Sequence, residues 1–359
     1  MSWKPKLAGA MLKFQALARF FKFTGVADNI PFYLPNISQP VIKVKFMAVI
    51  SEIQPIVVVC AADNNYAMPL AVTVRSALAN LKSNRKMSLF ILDGGISKFN
   101  QRKIIKSLPS EQVDISWIKI DNRVLDNLVL TRHLTVTCYY RLLITKFLSQ
   151  ELDKVIYLDS DMVVTGNLEN LWNIDLGNNY VLAVQDDVEL YISMSSGLRN
   201  YHELGIDPDS KYFNSGLLVI NLEKWRSENI GEKVIEYVKH NREYVQNDQD
   251  GLNAVLAGKW GELHPRWNQM PRIYHYSSWK DSPFAEDIYN ELLHQPNIIH
   301  FTNSPKPWCS GLRVECQHPQ KDLFFHYLDM TDWSGWRDTF WRRLGRKFMK
   351  MTFINTSKL

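Results

Sequence analysis

Short apolar runs alternate with amphipathic segments along most of the chain after residue 54. Residues 56–60 form a continuous apolar run rich in Val, which is typical of a strand covered on both faces. Residues 68–81 carry apolar side chains at helical spacing, and residues 87–92 return to a strand pattern. This repeated alternation predicts an α/β fold in which helices flank a mostly parallel, mixed central sheet.

The same patterns predict the remaining elements. Helices are expected at 97–108, with Ser97 as the cap, and at 135–148, 232–240 and 250–256. Strands are expected at 113–120, 154–158, 180–184, 217–222 and 297–301. The helix at 135–148 should bury a stripe made of Tyr139, Leu142, Leu143 and Phe147. In open sheets of this kind, ligands bind beyond the carboxyl ends of the strands.

Proline spacing and basic residues divide the chain into three parts. Pro31, Pro35 and Pro40 lie among Asn and Ser, which predicts a linker. We therefore expect a basic N-terminal extension and linker at 1–54, a catalytic domain at 55–310, and a basic, aromatic tail at 311–359. The apolar stretch at 7–23 is interrupted by basic residues, so neither a membrane span nor a secretory signal is expected.

Composition narrows the class of protein. With 46% apolar and 22% charged residues in 359, the chain is expected to be globular, which excludes a disordered or fibrous protein. The four cysteines lack the spacing of a zinc site and are too few for a disulfide scaffold. A reducing cytoplasmic location is the expectation that follows.

Charge is unevenly distributed along the chain. Residues 1–50 and 337–359 each carry seven Lys or Arg against one Asp, so the net charge of +5 leaves about −7 for the rest. An acidic central part argues against binding of nucleic acid over the whole surface. The two basic ends indicate instead that the termini contact an anionic surface. The aromatic and basic residues at 333–351 suit an anionic membrane, but a helix docked on the body, or on another protein, would show the same pattern.

Two carboxylates follow the predicted strand at 154–158. In Asp159-Ser160-Asp161 an extended backbone puts the first and third side chains on one face, so both can bind one cation. Oxygen ligands suit Mg²⁺ or Mn²⁺, which would neutralise charge on a diphosphate. The alternative is a pair of aspartates that only caps the turn after a strand.

A second candidate lies near the end of the predicted catalytic domain. His300 closes an apolar run, and Lys306 follows between two prolines. The imidazole is a possible third metal ligand, and the lysine can bind phosphate as a point charge. A structural histidine is the alternative for His300.

Five motifs in sequence order now point to one family. They are Ala61-Ala62-Asp63-Asn64-Asn65-Tyr66, Tyr157-Leu158-Asp159-Ser160-Asp161, Phe213-Asn214-Ser215-Gly216-Leu217, Asn247-Asp248-Gln249-Asp250 and the segment 300–308. Together this series resembles that of glycosyltransferase family 8, above all the bacterial lipopolysaccharide glucosyl- and galactosyltransferases, and more distantly glycogenin. The resemblance covers roughly residues 56–310 and implies a GT-A fold.

The resemblance implies a role for each matched residue. Uridine binding is assigned to Asp63, Asn65 and Tyr66, with Tyr66 stacking on the base, and Ala61 in the same loop is a donor-binding candidate. Metal binding, usually of Mn²⁺, is assigned to Asp159, Asp161 and His300. Lys306 matches the diphosphate-binding lysine, and Ser160 and Asn303 are further donor-binding candidates. The positions around the donor sugar are Arg141, Asp186, Asn214, Asp248 and Gln249, with Gln249 on the face where a nucleophile would be sought.

Most of these residues have a simpler alternative. Tyr66 can pack at a helix start, Arg141 can be a surface charge, and Asp186 can belong to a turn. Asn214 and Gln249 can be buried amides that satisfy backbone groups.

Two positions depart from the family pattern. Asn303 replaces a common phosphate-loop glycine; it can adopt a left-handed backbone but crowds the diphosphate. Asn64 replaces a frequent acidic residue, which affects support of the loop rather than a contact.

The function implied is transfer of glucose or galactose from a UDP-hexose to a saccharide or glycolipid acceptor, with Mn²⁺ or Mg²⁺ and with retention of configuration. A peripheral position on the cytoplasmic face of a membrane is expected. Gln249 is a neutral amide and a poor nucleophile, which favours a same-face route; Asp248 as nucleophile is the alternative. Rival functions are a silent nucleotide-sugar or glycan-binding protein, and a nucleotidyltransferase, although the latter normally has a Gly-rich basic loop after the first strand.

Overall fold

The computed structural model describes residues 54–129, 135–308 and 316–336. The strands in these ranges are β1 (Ile56–Ala62), β2 (Met87–Asp93), β3 (Val113–Lys119), β4 (Lys154–Leu158), β5 (Met162–Val164), β6 (Val181–Gln185), β7 (Phe213–Asn221), β8 (Trp260–Glu262) and β9 (Ile298–His300). The α-helices are α1 (Ala67–Ala79), α2 (Lys98–Ser107), α3 (Ile144–Phe147), α4 (Leu168–Trp172), α5 (Leu222–Ser227), α6 (Ile230–His240), α7 (Asp248–Leu256), α8 (Glu286–His294) and α9 (Lys321–Leu328).

Seven strands form the central sheet in the order β3-β2-β1-β4-β7-β6-β8. The first four are parallel to one another, β7 is antiparallel to both β4 and β6, and β8 is parallel to β6. Every residue of β1 is buried, as expected for a strand covered on both faces. The prediction of a mixed α/β sheet flanked by helices is therefore confirmed.

Strands β5 and β9 form a separate antiparallel pair in which Met162 lies opposite His300. Polar residues on the buried face of α1 hold β5 in place, because the Thr73 hydroxyl donates to the Met162 carbonyl (2.7 Å) and Ser76 Oγ accepts from Val164 N (2.9 Å). The Phe301 amide also donates to the Asp161 carbonyl (3.0 Å). This small sheet brings two motifs together that are far apart in sequence.

The predicted helix at 135–148 is wrong in type. Residues Val136–Leu143 form a 3₁₀-helix, and only α3 continues as one α-helical turn. β-Branched and aromatic residues at 136–140 have low α-helical propensity, which disfavours an α-helix there. Tyr139, Leu142 and Leu143 are buried as predicted, but Phe147 is 41% exposed because the helix ends at that residue.

Strand β7 begins four residues earlier than the predicted strand at 217–222, and Leu222 starts α5 instead. The early part contains Asn214 and Ser215, whose polar side chains hid the strand from the hydrophobic pattern although both are buried. The patterns also did not predict β5, β8, α4, α5, α8 or α9. β5, β8, α4 and α5 have only three to six residues and α9 lacks a clear apolar period, but α8 does carry Ile288 and Leu292 at helical spacing.

Residues 316–336 are the described part of the predicted tail, and they pack against the body. The side chain of Asn80, the residue that caps the end of α1, donates to the Tyr327 hydroxyl of α9 (2.7 Å), and Trp333 and Trp336 pack against the hydrophobic cluster that contains Tyr327. The rest of the tail and the predicted N-terminal extension lie outside the described residues. Within the described ranges, no helix combines the length and apolarity needed to cross a bilayer.

Candidate active site

A cleft opens where β1 and β4 end, at the carboxyl edge of the sheet. Its lining consists of Ala61, Ala62, Tyr66, Thr135, Thr137, Cys138, Arg141, Tyr157, Asp159, Ser160 and Asp161. The cleft therefore brings the first loop, the 3₁₀-helix and the Asp159-Ser160-Asp161 triplet together. This is the place where an open α/β sheet binds its ligands.

The first loop is held by its own polar groups. Asp63 Oδ1 accepts from the backbone amides of Asn65 (2.8 Å) and Tyr66 (3.2 Å), and the Ala61 carbonyl accepts from the Ser160 hydroxyl (2.8 Å). The Tyr66 ring lies edge-on to Trp308, with ring centroids 5.8 Å apart. Tyr66 thus lines the cleft and packs at the start of α1, and its role in stacking on the uridine base stays a prediction.

Asn64 connects this loop to α2. Its Oδ1 accepts from the Ser97 backbone amide and from the Asn100 side chain, both at 2.9 Å. The Ser97 side chain caps α2 by accepting from Asn100 N (3.2 Å), as predicted. Asn64 therefore supports the loop from outside the cleft.

Asp159, Asp161 and His300 form a compact cluster. Each offers one ligand atom, and these atoms all lie within 4.8 Å of one another. His300 Nε2 lies 3.2 Å from Asp161 Oδ1 and 3.9 Å from Asp159 Oδ2. The two aspartates therefore do more than cap a turn, because each directs one oxygen toward the same imidazole nitrogen.

The second carboxylate oxygen of each aspartate, which does not face His300, accepts a hydrogen bond from a basic side chain. Asp159 Oδ1 accepts from Arg141 Nη2 and from the Tyr157 hydroxyl, both at 2.9 Å. Asp161 Oδ2 accepts from Lys306 Nζ at 2.8 Å. The inward oxygens, Oδ2 of Asp159 and Oδ1 of Asp161, are thereby oriented for a common ligand.

The space around the cluster fits a divalent metal ion. A Cβ built on Gly216 would lie 2.3 Å from His300 Cε1 and 3.0 Å from Asp159 Oδ2, so only glycine leaves the ligand side chains room here. Two carboxylate oxygens and one imidazole nitrogen suit Mn²⁺ or Mg²⁺, Mn²⁺ accepting the nitrogen more readily. The donor set therefore agrees with the metal site predicted from the sequence.

The two aspartates differ in their electrostatic surroundings. Burial raises the pKa of Asp159, Arg141 opposes the rise, and Asp161 adds to it. Burial acts in the same direction on Asp161, but Lys306 and His300 outweigh it and hold the pKa of that carboxyl below its usual range. Asp161 is thus the more firmly ionised of the pair.

Arg141 is buried and pairs with two carboxylates, so it is not a surface charge. Its Nε lies 3.0 Å from Asp248 Oδ2, but the Nε hydrogen is donated to the Cys138 carbonyl (3.0 Å), so the contact with Asp248 is an ion pair. Nη1 donates to the Ser215 carbonyl. Burial raises the pKa of Asp248 to about 6 although Arg141 lowers it, and Asp159 contributes to the rise.

Asp186, Asn214 and Gln249 are buried or half-buried beside the cluster and are not part of the cleft lining. Asp186 Oδ2 accepts from Asn214 Nδ2 (3.0 Å) and Gln249 Nε2 (3.2 Å), while its Oδ1 accepts two backbone amides of the following turn. Gln249 Oε1 accepts from Ser215 N at 2.9 Å. These amides therefore do satisfy backbone groups, and Asp186 does belong to a turn.

The loop after β9 carries Asn303 and Lys306. Asn303 is exposed, and its φ angle is not positive, so the loop does not adopt a left-handed conformation at this residue. Besides Asp161, Lys306 Nζ contacts the carbonyls of Phe301 and Thr302 (3.1 Å to the latter). The lysine thus lies at the rim of the cluster.

Three residues of the site were not identified from the sequence. Tyr157 and Gly216 lie in recognised motifs, but no role was predicted for either. The Tyr157 hydroxyl donates to Asp159, and Gly216 leaves room for His300. Asn268, from a 3₁₀-helix before β9, lies 3.0 Å from His300 Nδ1. A single asparagine outside every motif gives no sequence signal of such a contact.

Comparison with known proteins agrees with this geometry. The family model described as glycosyl transferase family 8 matches residues 57–311. General stress protein A of Bacillus subtilis is 33% identical over 281 residues, covering 77% of this chain and 94% of that protein. Lipopolysaccharide 1,2-glucosyltransferase of Escherichia coli is 28% identical over 280 residues, covering 76% and 78%.

A solved structure has the same architecture. The crystal structure of the galactosyltransferase LgtC in complex with donor and acceptor sugar analogs superposes with a TM-score of 0.66 and 28% identity. The match covers 77% of this chain and 96% of that one. The mixed sheet described above is accordingly a GT-A fold.

Proposed function

This chain belongs to glycosyl transferase family 8, and on that basis we propose that it transfers a hexose from a UDP-sugar to a saccharide acceptor with retention of configuration. The observation that supports this most directly is the Asp159, Asp161 and His300 cluster beside the cleft. Two carboxylates and an imidazole, each oriented by a second contact, are what a metal-dependent donor site requires.

The proposed metal is Mn²⁺, with Mg²⁺ as the second candidate. When bound, it would neutralise negative charge on the diphosphate of the donor. The protein's charge supports this role. When Asp159, Asp161 and Asp248 are ionised, they outnumber their two cationic partners, Arg141 and Lys306, and the surplus negative charge favours a cation.

The chain's own residues bind and orient the donor in this proposal. Tyr66 and the loop at 61–66 receive the uridine. Lys306 at the rim places its ammonium group beside the leaving diphosphate, where negative charge develops. Arg141 keeps Asp159 in one orientation, so its contribution is to position the carboxylate rather than to contact the sugar.

Retention is proposed to follow a same-face route, in which the leaving phosphate accepts the proton of the acceptor hydroxyl. Both polar groups of the Gln249 amide are occupied by Ser215 and Asp186, and a neutral amide is a poor nucleophile. Asp248 is buried and paired with Arg141, which makes attack on a sugar carbon difficult. These contacts favour the same-face route over a covalent intermediate.

The proposed acceptor is a lipid-linked saccharide, as the name of the E. coli relative suggests. The two basic termini would then hold the protein at the cytoplasmic face of an anionic membrane. Sedimentation with vesicles of phosphatidylglycerol, compared with neutral vesicles, tests this. A chain that ends at Trp336 should lose most of the binding, and equal binding of both chains would contradict a role for the C-terminal tail.

The central experiment measures turnover of UDP-glucose and UDP-galactose with Mn²⁺. We expect hydrolysis or transfer that stops when EDTA is added, and the preferred donor identifies the hexose. Combined replacement Asp159→Asn and Asp161→Asn should lower turnover by more than the 10- to 100-fold typical of lost ligand-orienting contacts. Circular dichroism checks that the variant is folded.

Two outcomes would contradict the proposal in different ways. Turnover that is unchanged in EDTA would remove the metal from the mechanism. UDP binding by calorimetry without any turnover would instead indicate a nucleotide-sugar-binding protein of the same fold.

A further inference from the structure

Buried amide side chains form a continuous hydrogen-bonded chain behind the metal cluster. His300 Nδ1 lies 3.0 Å from Asn268 Oδ1, Asn268 Nδ2 donates to Asn214 Oδ1 (2.8 Å), and Asn214 Nδ2 donates to Asp186 Oδ2 (3.0 Å). All four side chains are buried, and Asn268 is only 1% exposed. Each link therefore depends on its partner, because water cannot replace it readily.

A backbone amide fixes the direction of this chain. Gly216 N donates to Asn214 Oδ1 at 3.0 Å, and a backbone N–H can only donate. The atom it contacts is therefore the oxygen of Asn214, and the Asn214 NH₂ group must face Asp186. The Asp186 carboxylate, which accepts there, agrees with this orientation at the other end.

The orientation of Asn268 follows from that of Asn214. The group of Asn268 that faces Asn214 Oδ1 has to donate, so it is the NH₂ group. Its oxygen then faces His300, which requires a hydrogen on Nδ1. In a neutral imidazole the other nitrogen, Nε2, then has the free lone pair, and Nε2 is the atom directed at Asp159 and Asp161.

We propose that Asn268 is a positioning residue that holds His300 in the Nδ1-protonated form, so that Nε2 is available as a metal ligand. Ligating histidines need an unprotonated nitrogen, and the hydrogen bond at the other nitrogen sets which one this is. The inference rests on the proposed metal role of His300. It adds to that role a residue outside every recognised motif.

The backbone places Asn268 for this task. It ends the 3₁₀-helix Pro265–Asn268, and the next residue pairs with β9 on both sides: Gln269 N donates to the Ile298 carbonyl (2.8 Å), and His300 N donates to the Gln269 carbonyl (2.9 Å). The side chains of Asn268 and His300 are thus held side by side. Gln269 is equally buried, and its own side chain has no hydrogen-bond partner among the described residues.

The first arm of the test measures Mn²⁺ affinity in the presence of UDP, from the electron paramagnetic resonance signal of free Mn²⁺. Asn268→Ala should bind Mn²⁺ about 10- to 100-fold more weakly than the wild type. Asn268→Asp should bind more tightly than the alanine variant, because a carboxylate oxygen still accepts the Nδ1 proton. The matched control, Gln269→Leu, should bind like the wild type.

The second arm detects the proton directly. A long-range ¹H–¹⁵N spectrum of the metal-free protein at alkaline pH, where an imidazole carries one proton, should show that proton on Nδ1 of His300. The protein has nine histidines, so a His300→Gln spectrum assigns the signal. Asn268→Ala should give a mixture of both tautomers.

The outcomes separate the inference from the function on which it rests. A wild-type protein that does not bind Mn²⁺ counts against the proposed function, while the spectrum still decides the role of Asn268. A His300 proton on Nε2, or a folded Asn268→Ala variant with wild-type Mn²⁺ affinity, would overturn the inference.

Discussion

Arg141 and Lys306 each hold the outward oxygen of one aspartate, but they do so in different surroundings. The Arg141 side chain is 5% exposed and is shared between Asp159 and Asp248, and it also donates to two backbone carbonyls. The Lys306 side chain is 14% exposed, lies in a loop and pairs with Asp161 alone among the described carboxylates. One cation is enclosed by the body, and the other lies in a loop at the rim of the cluster.

This difference separates a charge that is enclosed by the body from one in a loop at the rim of the cluster. Removing the guanidinium would leave the buried Asp248 without its cationic partner and the half-buried Asp159 without one of its two donors. An ammonium group on a flexible stem at the rim can turn from Asp161 toward a phosphate at little cost. We therefore expect replacement of Arg141 to affect stability first, and replacement of Lys306 to affect donor turnover first.

The largest effect should come from Arg141→Met. It leaves Asp159 and Asp248 without their buried partner, and breaking a buried ion pair in this way costs about 3–5 kcal/mol. Urea unfolding followed by circular dichroism measures the loss. Arg123→Met is the control, because Arg123 pairs with Asp121 at the surface and should leave stability unchanged. If Arg141→Met were as stable as Arg123→Met, Arg141 would not have the structural role that distinguishes it here from Lys306.

For Lys306→Met we expect a smaller loss of unfolding free energy and a larger loss of turnover. Loss of one cation where charge develops lowers turnover by about 10²- to 10³-fold, while the unfolding midpoint should change much less than for Arg141→Met. Initial rates with saturating UDP-hexose and Mn²⁺ test the first part, and urea unfolding tests the second. A stable variant with wild-type turnover would show that Lys306 serves only to hold Asp161.

The smallest effect concerns a carboxylate without a cationic partner, Asp187, which accepts from the Arg272 amide (3.0 Å) and has no ion pair among the described residues. Burial raises the pKa of Asp187 to about 7, and Asp186 adds to the rise. Because the folded state holds this proton more tightly than the unfolded chain, its stabilising contribution is complete below about pH 4 and is lost as the pH rises to about 7.

Asp187→Asn removes this dependence. Between pH 5 and pH 6, the wild type should lose about 1 kcal/mol of unfolding free energy more than the variant. Urea unfolding at both pH values measures the difference. If the unfolding free energies of the wild type and the variant change with pH in the same way, Asp187 has the same pKa in the folded and unfolded states. The lack of a cationic partner would then have no effect on the ionisation of this carboxyl.

The sequence was sufficient for the parallel half of the sheet and for naming three residues that the structure brings together, Asp159, Asp161 and His300. The apolar run at 56–60 and the helical spacing at 68–81 correspond to β1 and α1, because continuous apolar strands and amphipathic helices have distinct periods. The polar residues of β7 concealed its first part, since they face the site. Local pattern cannot distinguish a strand that presents polar groups to a buried site from a loop.

Long-range contacts were the other limit. The motifs identified Asp161, His300 and Lys306, but nothing in the sequence indicated that Arg141 joins Asp159 to Asp248 or that Asn268 touches His300. Such pairings depend on the register of β5 against β9 and on the 3₁₀-helix that replaces the predicted helix. Those features are set by tertiary packing rather than by residue type.

The pairing of β5 with β9 also has a consequence for synthesis of the protein. Asp161 and Lys306 are 145 residues apart, so the cluster joins the middle of the catalytic domain to its end. Closing a loop of that length precedes any gain from the contact, which makes it a late event in folding. A nascent chain can complete β1 to β4 while still on the ribosome, but the proposed metal ligands come together only after β9 has emerged.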